Sequence, residues 1–269
     1  MTMMILKNCK EFTSLWKEEL KERVEKLAEA PVLGIIQVGN VEASNRYVRN
    51  KMKDCDEVGI IYKHVICPED ISMEELIDTI DSVQYTSDGI IVQLPLPEHI
   101  DPNKVVAAIN PKKDVDGFRV DSEYTPCTPG GIMEYLKYCD WDPVGKNVVV
   151  IGRSDIVGKP MAKLMTDADA TVTLCHSKTK RLSRFVDMAD LIVTAVGKAK
   201  FLNCYPIHVP VIDVGINFDE NGKLVGDCIN TENRDVTPVP GGVGLMTRCM
   251  LLENVVRAKE KQVGMVPNS

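Results

Sequence analysis

Short apolar runs alternate with longer stretches of helical period along the first half of the chain. Residues 32–38, 60–66 and 89–94 are short, mainly apolar stretches bounded by glycine, proline or polar clusters, which predicts strands, the last of them buried. Between them the apolar positions recur every three or four residues. At 11–27 they place Phe12, Leu15, Trp16, Leu20 and Val24 on one face of an amphipathic helix that Pro31 ends. A second helix is predicted from Ser44 or Asn45 as N-cap to about Val58, with Gly59 at the position where helices stop. Ser72 and Glu75 match a capping box for a helix to about Val83, and Asp101-Pro102 opens a short one. Strand, helix, strand, helix, strand, helix is the order of a layered parallel sheet.

Around 119–126 the periodicity lapses into a polar connector, the best domain boundary in the sequence. Thr128-Pro129 then reads as an N-cap with a first-turn proline, opening a helix to about Tyr138. The run Val148 to Ile151, the turn from Gly152 and the helical restart at Gly158 read as strand, tight turn, helix. Runs at 170–174, 191–195 and 209–214 predict a second parallel sheet. Residues 219–222 make a turn and 225–227 return from it. The stretch 237–244, TPVPGGVG, is too rich in proline and glycine for a simple linker. A last helix is predicted over 245–259, with the final seven residues frayed. The fold class is α/β with two domains, 1–120 and 121–245, followed by that helix.

Composition narrows the class. The chain has 269 residues, 26% charged and 44% apolar, enough for a substantial core. A formal net charge of −7 argues against a nucleic-acid or acidic-membrane surface. No run reaches the length of a membrane span, and the first twelve residues lack a signal peptide's apolar core and cleavage site, so a soluble cytoplasmic protein is expected. Nine cysteines without a C-x-x-C pair fit scattered reduced thiols, and four histidines in no ligand-like spacing make a zinc site an unfavoured reading.

Candidate chemistry sits at the strand ends. In the second helix Val48, Met52 and Cys55 form the buried stripe, and Tyr47 and Lys51 lie on its edge, able to point into a cleft. Taken singly, each is better read as an ordinary helix residue, a solvated lysine and a packing tyrosine. Gln93, before Leu94-Pro95-Leu96-Pro97, stands where open α/β sheets place ligands. Asp114 and Asp116 could hold a metal, but with no third ligand nearby an ordinary turn is the better reading, and no metal is expected. The turn from Gly152 through Arg153 and Ser154 to Gly158 departs from the G-x-G-x-x-G pattern yet would offer a phosphate a helix N-terminus. After Leu174 the sequence CHSKTK holds no carboxylate, and Arg153 lies in the first turn, so NADP is favoured over NAD.

Taken together, Tyr47-x-x-x-Lys51, QLPLP from Gln93, KDVDG from Lys113, PCTP from Pro126, the Gly152-Arg153-Ser154 turn and PVPGGVG from Pro238 resemble one family. It is the bifunctional methylenetetrahydrofolate dehydrogenase/methenyltetrahydrofolate cyclohydrolase of the FolD type, and the likeness runs in order from about Pro31 to about Val256. The resemblance implies two α/β domains with a cleft between them, tetrahydrofolate derivatives on the first, NADP on a Rossmann-like second, and residues 246–269 packing back on the first. It also implies a homodimer and a place in one-carbon metabolism. Lys51 would be the catalytic lysine, Tyr47 the residue that packs on the folate and orients it, and Gln93 its hydrogen-bonding partner. Asp116 would hold the pterin ring, with Leu94, Pro95, Gly241 and Gly242 completing the substrate side. Thr128, Gly152, Arg153, Ser154, Val157, Gly158, His176, Ser177, Ala195, Val196, Gly197, Gly215 and Ile216 would line the cofactor.

Partial burial and a neighbouring donor would tune such a lysine for proton transfer near neutral pH. Two features depart from the family: the connector 118–126 is short, which could alter the loop contacts there, and Leu245 stands where GGVGPMT has proline, which touches the nicotinamide contacts. A cyclohydrolase without dehydrogenase activity, or a folate- or nucleotide-binding regulator, would share many of these residues.

Overall fold

The structure, a computed structural model, describes residues 6–203, 205–229 and 234–265, with the side chain of Ala43 outside that set. The expected fraying of the last seven residues falls partly on 266–269, outside the described residues. The chain divides into two units: Leu15–Cys127 with Arg248–Ser269, and Met1–Ser14 with Thr128–Thr247.

The first of these is built on a three-stranded parallel sheet of β1 (Val32–Val38), β2 (Ile61–Cys67) and β3 (Gly89–Val92), in the order β2-β1-β3. Because β1 is central it is buried from Leu33 through Val38, whereas β2, at the edge, leaves Ile61 and Ile66 half in water. One face packs Ile36, Val38, Ile90 and Val92 against Leu76, Ile80 and Val83 of α3 (Met73–Tyr85) and Val105 of α4 (Pro102–Ala108). Ser72 and Glu75 close the capping box, and Asp101 caps α4 with an oxygen 2.9 Å from the Asn103 amide.

The helix α1 (Cys9–Glu25) buries Phe12, Trp16, Leu20 and Val24, but Leu15 is 49% exposed, at the margin of the apolar stripe. Arg23 of α1 spans Glu253 and Glu260 of α8 (Val243–Gln262), each at 2.8 Å.

Two predicted helix starts are wrong. The helix α2 runs Glu42–Val58 from an N-cap at Val41. Asn45 does not cap it, because its side-chain oxygen accepts from Gln37 Nε2 at 2.8 Å and its Nδ2 donates to Asn40 Oδ1 at 2.8 Å. Ser44 is buried one turn inside. The other end is as expected, with Gly59 at φ 89° donating to the Cys55 carbonyl. Similarly α5 spans Cys127–Tyr138, so Thr128 lies inside it and its hydroxyl is 3.0 Å from that of Thr247.

The second unit holds a four-stranded parallel sheet, β4 (Asn147–Ile151), β5 (Thr171–Cys175), β6 (Leu191–Thr194) and β7 (Val211–Asp213), ordered β5-β4-β6-β7. The helix α6 (Gly158–Asp167) covers β4 and β5 through Met161 and Met165. The four-residue α7 (Ser183–Val186) is too short to show a period, and β8 (Asn217–Phe218) pairs antiparallel with β9 (Leu224–Val225). Leu245 lies in the first turn of α8 and donates its amide to the Gly242 carbonyl at 2.9 Å. Proline there would lack that bond.

Candidate active site

In the first unit the chain passes from β2 on one side of β1 to β3 on the other, so the carboxyl ends of β1 and β3 form a topological switch point. From β1 the chain enters α2, which carries Tyr47 and Lys51 one turn apart. Directly after β3 comes Gln93, whose amide still donates to the Ile36 carbonyl at 2.8 Å. Its side chain is therefore held at the sheet's end. Lys51 Nζ donates to Gln93 Oε1 at 3.1 Å, and Gln93 Nε2 donates to the Leu94 carbonyl at 2.6 Å, which fixes the orientation of the carboxamide. Tyr47, Lys51 and Gln93 are all half-buried, and the Leu94-Pro95 peptide is cis. Lys51 has no carboxylate within ion-pair distance among the described residues.

Asp116 joins this group electrostatically. Burial pushes its carboxyl above the usual aspartate range, while the Lys51 ammonium pulls it back down. Asp114, two residues earlier, serves the turn: its oxygens accept the amides of Gly117 at 3.2 Å and Arg119 at 2.8 Å. Gly117 sits at φ 72°, and a Cβ there would come within 2.7 Å of the Pro126 nitrogen. The short connector thus folds back so that the Cys127 amide reaches the Asp116 carbonyl at 3.2 Å. Asn254 of α8 clamps it, donating to the Val115 and Thr125 carbonyls at 2.9 Å each. No sequence motif pointed to Asn254, because its partners lie more than a hundred residues away. Among the described residues no group of three histidine, cysteine or acidic side chains is placed to hold a metal.

The other predicted residues belong to the second unit. There the switch point falls between β4 and β6. Gly152, at φ 117°, follows β4, and a Cβ on it would overlap the Ala195 carbonyl after β6. A Cβ on Gly158, the first residue of α6, would likewise overlap the Gly152 carbonyl. These glycines bring the helix start and both strand ends together with no side chain between them. Arg153, Ser154, Ser177 and Gly197 are exposed, Val157 and His176 half-buried. Ser154 Oγ accepts from the Gly158 amide at 3.4 Å, and His176 closes its own loop through Thr179, 2.9 Å away.

Val196 and Gly197 donate their amides to Asp227, so these donors are not free for a ligand. Gly215 donates to Asp213 at 2.9 Å, and a Cβ on it would overlap the Asp227 carboxylate, while Ile216 is 50% exposed. Gly241 is at φ 101°, and a Cβ on Gly242 would lie 2.5 Å from the Pro238 carbonyl. Asp213 and Asp227, which organise these loops, carry no signal in the sequence beyond standing near strand ends.

A dinucleotide fits this edge by three observations: the side-chain-free cradle at Gly152 and Gly158, the ten-residue α6 starting from it, and the exposed Arg153, which has no acidic partner among the described residues.

Two family models match in succession: the catalytic domain of tetrahydrofolate dehydrogenase/cyclohydrolase over residues 8–116, and its NAD(P)-binding domain over 126–263. The bifunctional protein FolD of Lactococcus lactis subsp. lactis is 46% identical over 265 residues, covering 91% of this chain and 93% of its own. Among solved structures, the bifunctional FolD enzyme of Campylobacter jejuni superposes with a TM-score of 0.91 at 41% identity, covering 95% of this chain and 98% of its own. The methylenetetrahydrofolate dehydrogenase-cyclohydrolase of Trypanosoma brucei, complexed with NADP and an inhibitor, gives 0.89 at 32% identity, covering 98% and 99%.

Proposed function

The chain belongs to the tetrahydrofolate dehydrogenase/cyclohydrolase family, and from that premise we infer that it carries out two consecutive reactions of one-carbon metabolism. It oxidises 5,10-methylene-tetrahydrofolate to the methenyl cation with NADP, and it hydrolyses that cation to 10-formyl-tetrahydrofolate. The observation that carries the assignment of residues is the Lys51–Gln93 pair at a sheet switch point, beside Asp116.

The unit of Leu15–Cys127 and Arg248–Ser269 is the proposed folate side, and that of Met1–Ser14 and Thr128–Thr247 the proposed cofactor side. Gly152, Arg153, Ser154, Val157 and Gly158 would hold the dinucleotide's phosphates, with Arg153 facing the 2′-phosphate. His176, Ser177, Thr128, Ala195, Val196, Gly197, Gly215 and Ile216 would contact the rest. NADP, when bound, supplies the acceptor for the hydride that leaves the one-carbon bridge. For that step the protein mainly positions the folate, Asp116 holding the pterin while Tyr47, Leu94 and Pro95 bound it.

In the second step water adds to the methenyl carbon and loses a proton, and the bond from that carbon to N5 breaks as N5 gains one. Lys51 would carry that proton, a role supported by Gln93 Oε1, which holds its amine in one orientation, and by Tyr47 one turn away on the same helix. The hydrolysis therefore needs the lysine but no redox cofactor.

The edge strand β2, seven residues long with Ile61 and Ile66 more than half exposed, is an open edge for a second copy, and a homodimer is the proposed assembly. No helix among the described residues is long and apolar enough to cross a membrane, and every described cysteine is a free thiol, which supports a cytoplasmic setting. The test of the activity is direct: purified protein with methylene-tetrahydrofolate should reduce NADP in preference to NAD. Reduction of neither would refute the dehydrogenase assignment.

A further inference from the structure

The carboxylate of Asp227 is fully buried and is hydrogen-bonded by donors from two separate stretches of chain. Its Oδ2 accepts from the Thr194 hydroxyl at 3.1 Å and the amides of Val196 at 2.7 Å and Gly197 at 3.3 Å. Its Oδ1 accepts from the Lys198 amide at 2.9 Å and Asn217 Nδ2 at 3.0 Å. The successive amides 196–198 thus all turn inward onto one side chain. That side chain is itself fixed, since Asp213 accepts the Asp227 amide at 3.0 Å and the Gly215 and Cys228 amides at 2.9 Å each. Gly215 leaves room for the Asp227 carboxylate, and Gly226 leaves room for that of Asp213. A buried carboxylate with this many donors is a rigid anchor.

The anchored turn begins with Ala195, whose carbonyl lies against Gly152. The shape of the 195–198 turn and that of the glycine cradle are therefore set together. We propose that Asp227 is a positioning residue for the dehydrogenase reaction, holding the 195–198 turn in the shape that the bound dinucleotide meets at the end of β6. This rests on the reading of that edge as the cofactor side. Asparagine at 227 keeps the shape of the side chain but sets an N–H₂ group against either the 196–197 amides or the 198 amide and Asn217. One set of donors then loses its acceptor.

The experiment compares wild type, Asp227→Asn and Arg153→Ala as full-length proteins. It measures kcat and KM for NADP in methylene-tetrahydrofolate oxidation, and the rate of methenyl-tetrahydrofolate hydrolysis without cofactor. Asp227→Asn is expected to raise the KM for NADP about tenfold or more while hydrolysis stays within about twofold of wild type. A merely structural role would lower both activities in parallel, and that outcome would overturn the proposal. An unchanged KM in Asp227→Asn together with a raised one in Arg153→Ala overturns the role of Asp227 alone. Unchanged values in both overturn the cofactor-side reading and the proposal with it. Should Asp227→Asn fail to fold, Thr194→Val, which removes one donor, decides. A KM for NADP raised about threefold with hydrolysis intact supports the anchor, and an unaltered KM overturns it.

Discussion

Lys51 and Gln93 are 42 residues apart in sequence and 3.1 Å apart in space, joined across the carboxyl ends of two neighbouring strands. The glutamine makes its second bond to its own neighbour's carbonyl, so it cannot rotate to follow the lysine. A part-buried neutral acceptor orients the amine without neutralising its charge, as a carboxylate would.

Gln93→Ala should therefore lower kcat for methenyl-tetrahydrofolate hydrolysis about tenfold or more with a smaller change in KM, since orientation is lost and folate contacts largely remain. Steady-state hydrolysis kinetics check this. A rise in KM alone would mean that Gln93 only binds.

The Asp116 carboxyl is pushed above its ordinary value of 3.8, chiefly by burial and against the pull of Lys51. The folded protein keeps this proton to higher pH than the unfolded chain does. The stability it contributes is present below pH 3.8 and is lost as pH rises through the raised folded value. Asp116→Asn should remove that part of the slope, as urea unfolding at a series of pH values would show. The acid limb of folate affinity should lie above pH 3.8 in wild type and vanish in the variant.

Asn254→Ala removes one donor from the buried Val115 carbonyl, which keeps the Cys127 thiol, and the side-chain donor of the half-buried Thr125 carbonyl. The expected cost is about 1–3 kcal/mol of stability, with a raised KM for folate in both reactions because the Asp116 loop is no longer clamped. Denaturant unfolding and the two KM values test it. Asn254→Asp should be at least as harmful, since a carboxylate would face the same two carbonyls.

Arg153→Ala should raise the KM for NADP about tenfold or more while changing that for NAD little, because only NADP carries the 2′-phosphate. Equal losses for the two cofactors would remove Arg153 from phosphate recognition.

Much of the frame is legible from local pattern. The β1 run, the Ser72–Glu75 box and the Gly59 stop each depend on residues within one element, so period and capping chemistry suffice. Local pattern misses the starts of α2 and α5, where Asn45 and Thr128, good caps by type, are engaged instead by Gln37 and Asn40 in the preceding strand and loop and by Thr247 in α8. The functional group was only half legible: helix spacing puts Tyr47 and Lys51 on one edge, but their pairing with Gln93 and Asp116 came from the family's motifs. Asn254 and Asp227 are illegible because their partners are remote in sequence, and Asp213 because beyond the nearby Gly215 it holds the amides of Asp227 and Cys228 in another stretch of chain, which leaves no trace in composition or period.

The central claim is that Lys51 carries the proton in hydrolysis. Lys51→Met keeps much of the stem's apolar volume and removes the amine, so the variant isolates chemistry from packing. Measured on methenyl-tetrahydrofolate without cofactor, it should lose hydrolysis by about a thousandfold or more while folate binds within about threefold of wild type. Hydrolysis at the wild-type rate in a protein that binds folate normally would contradict the account.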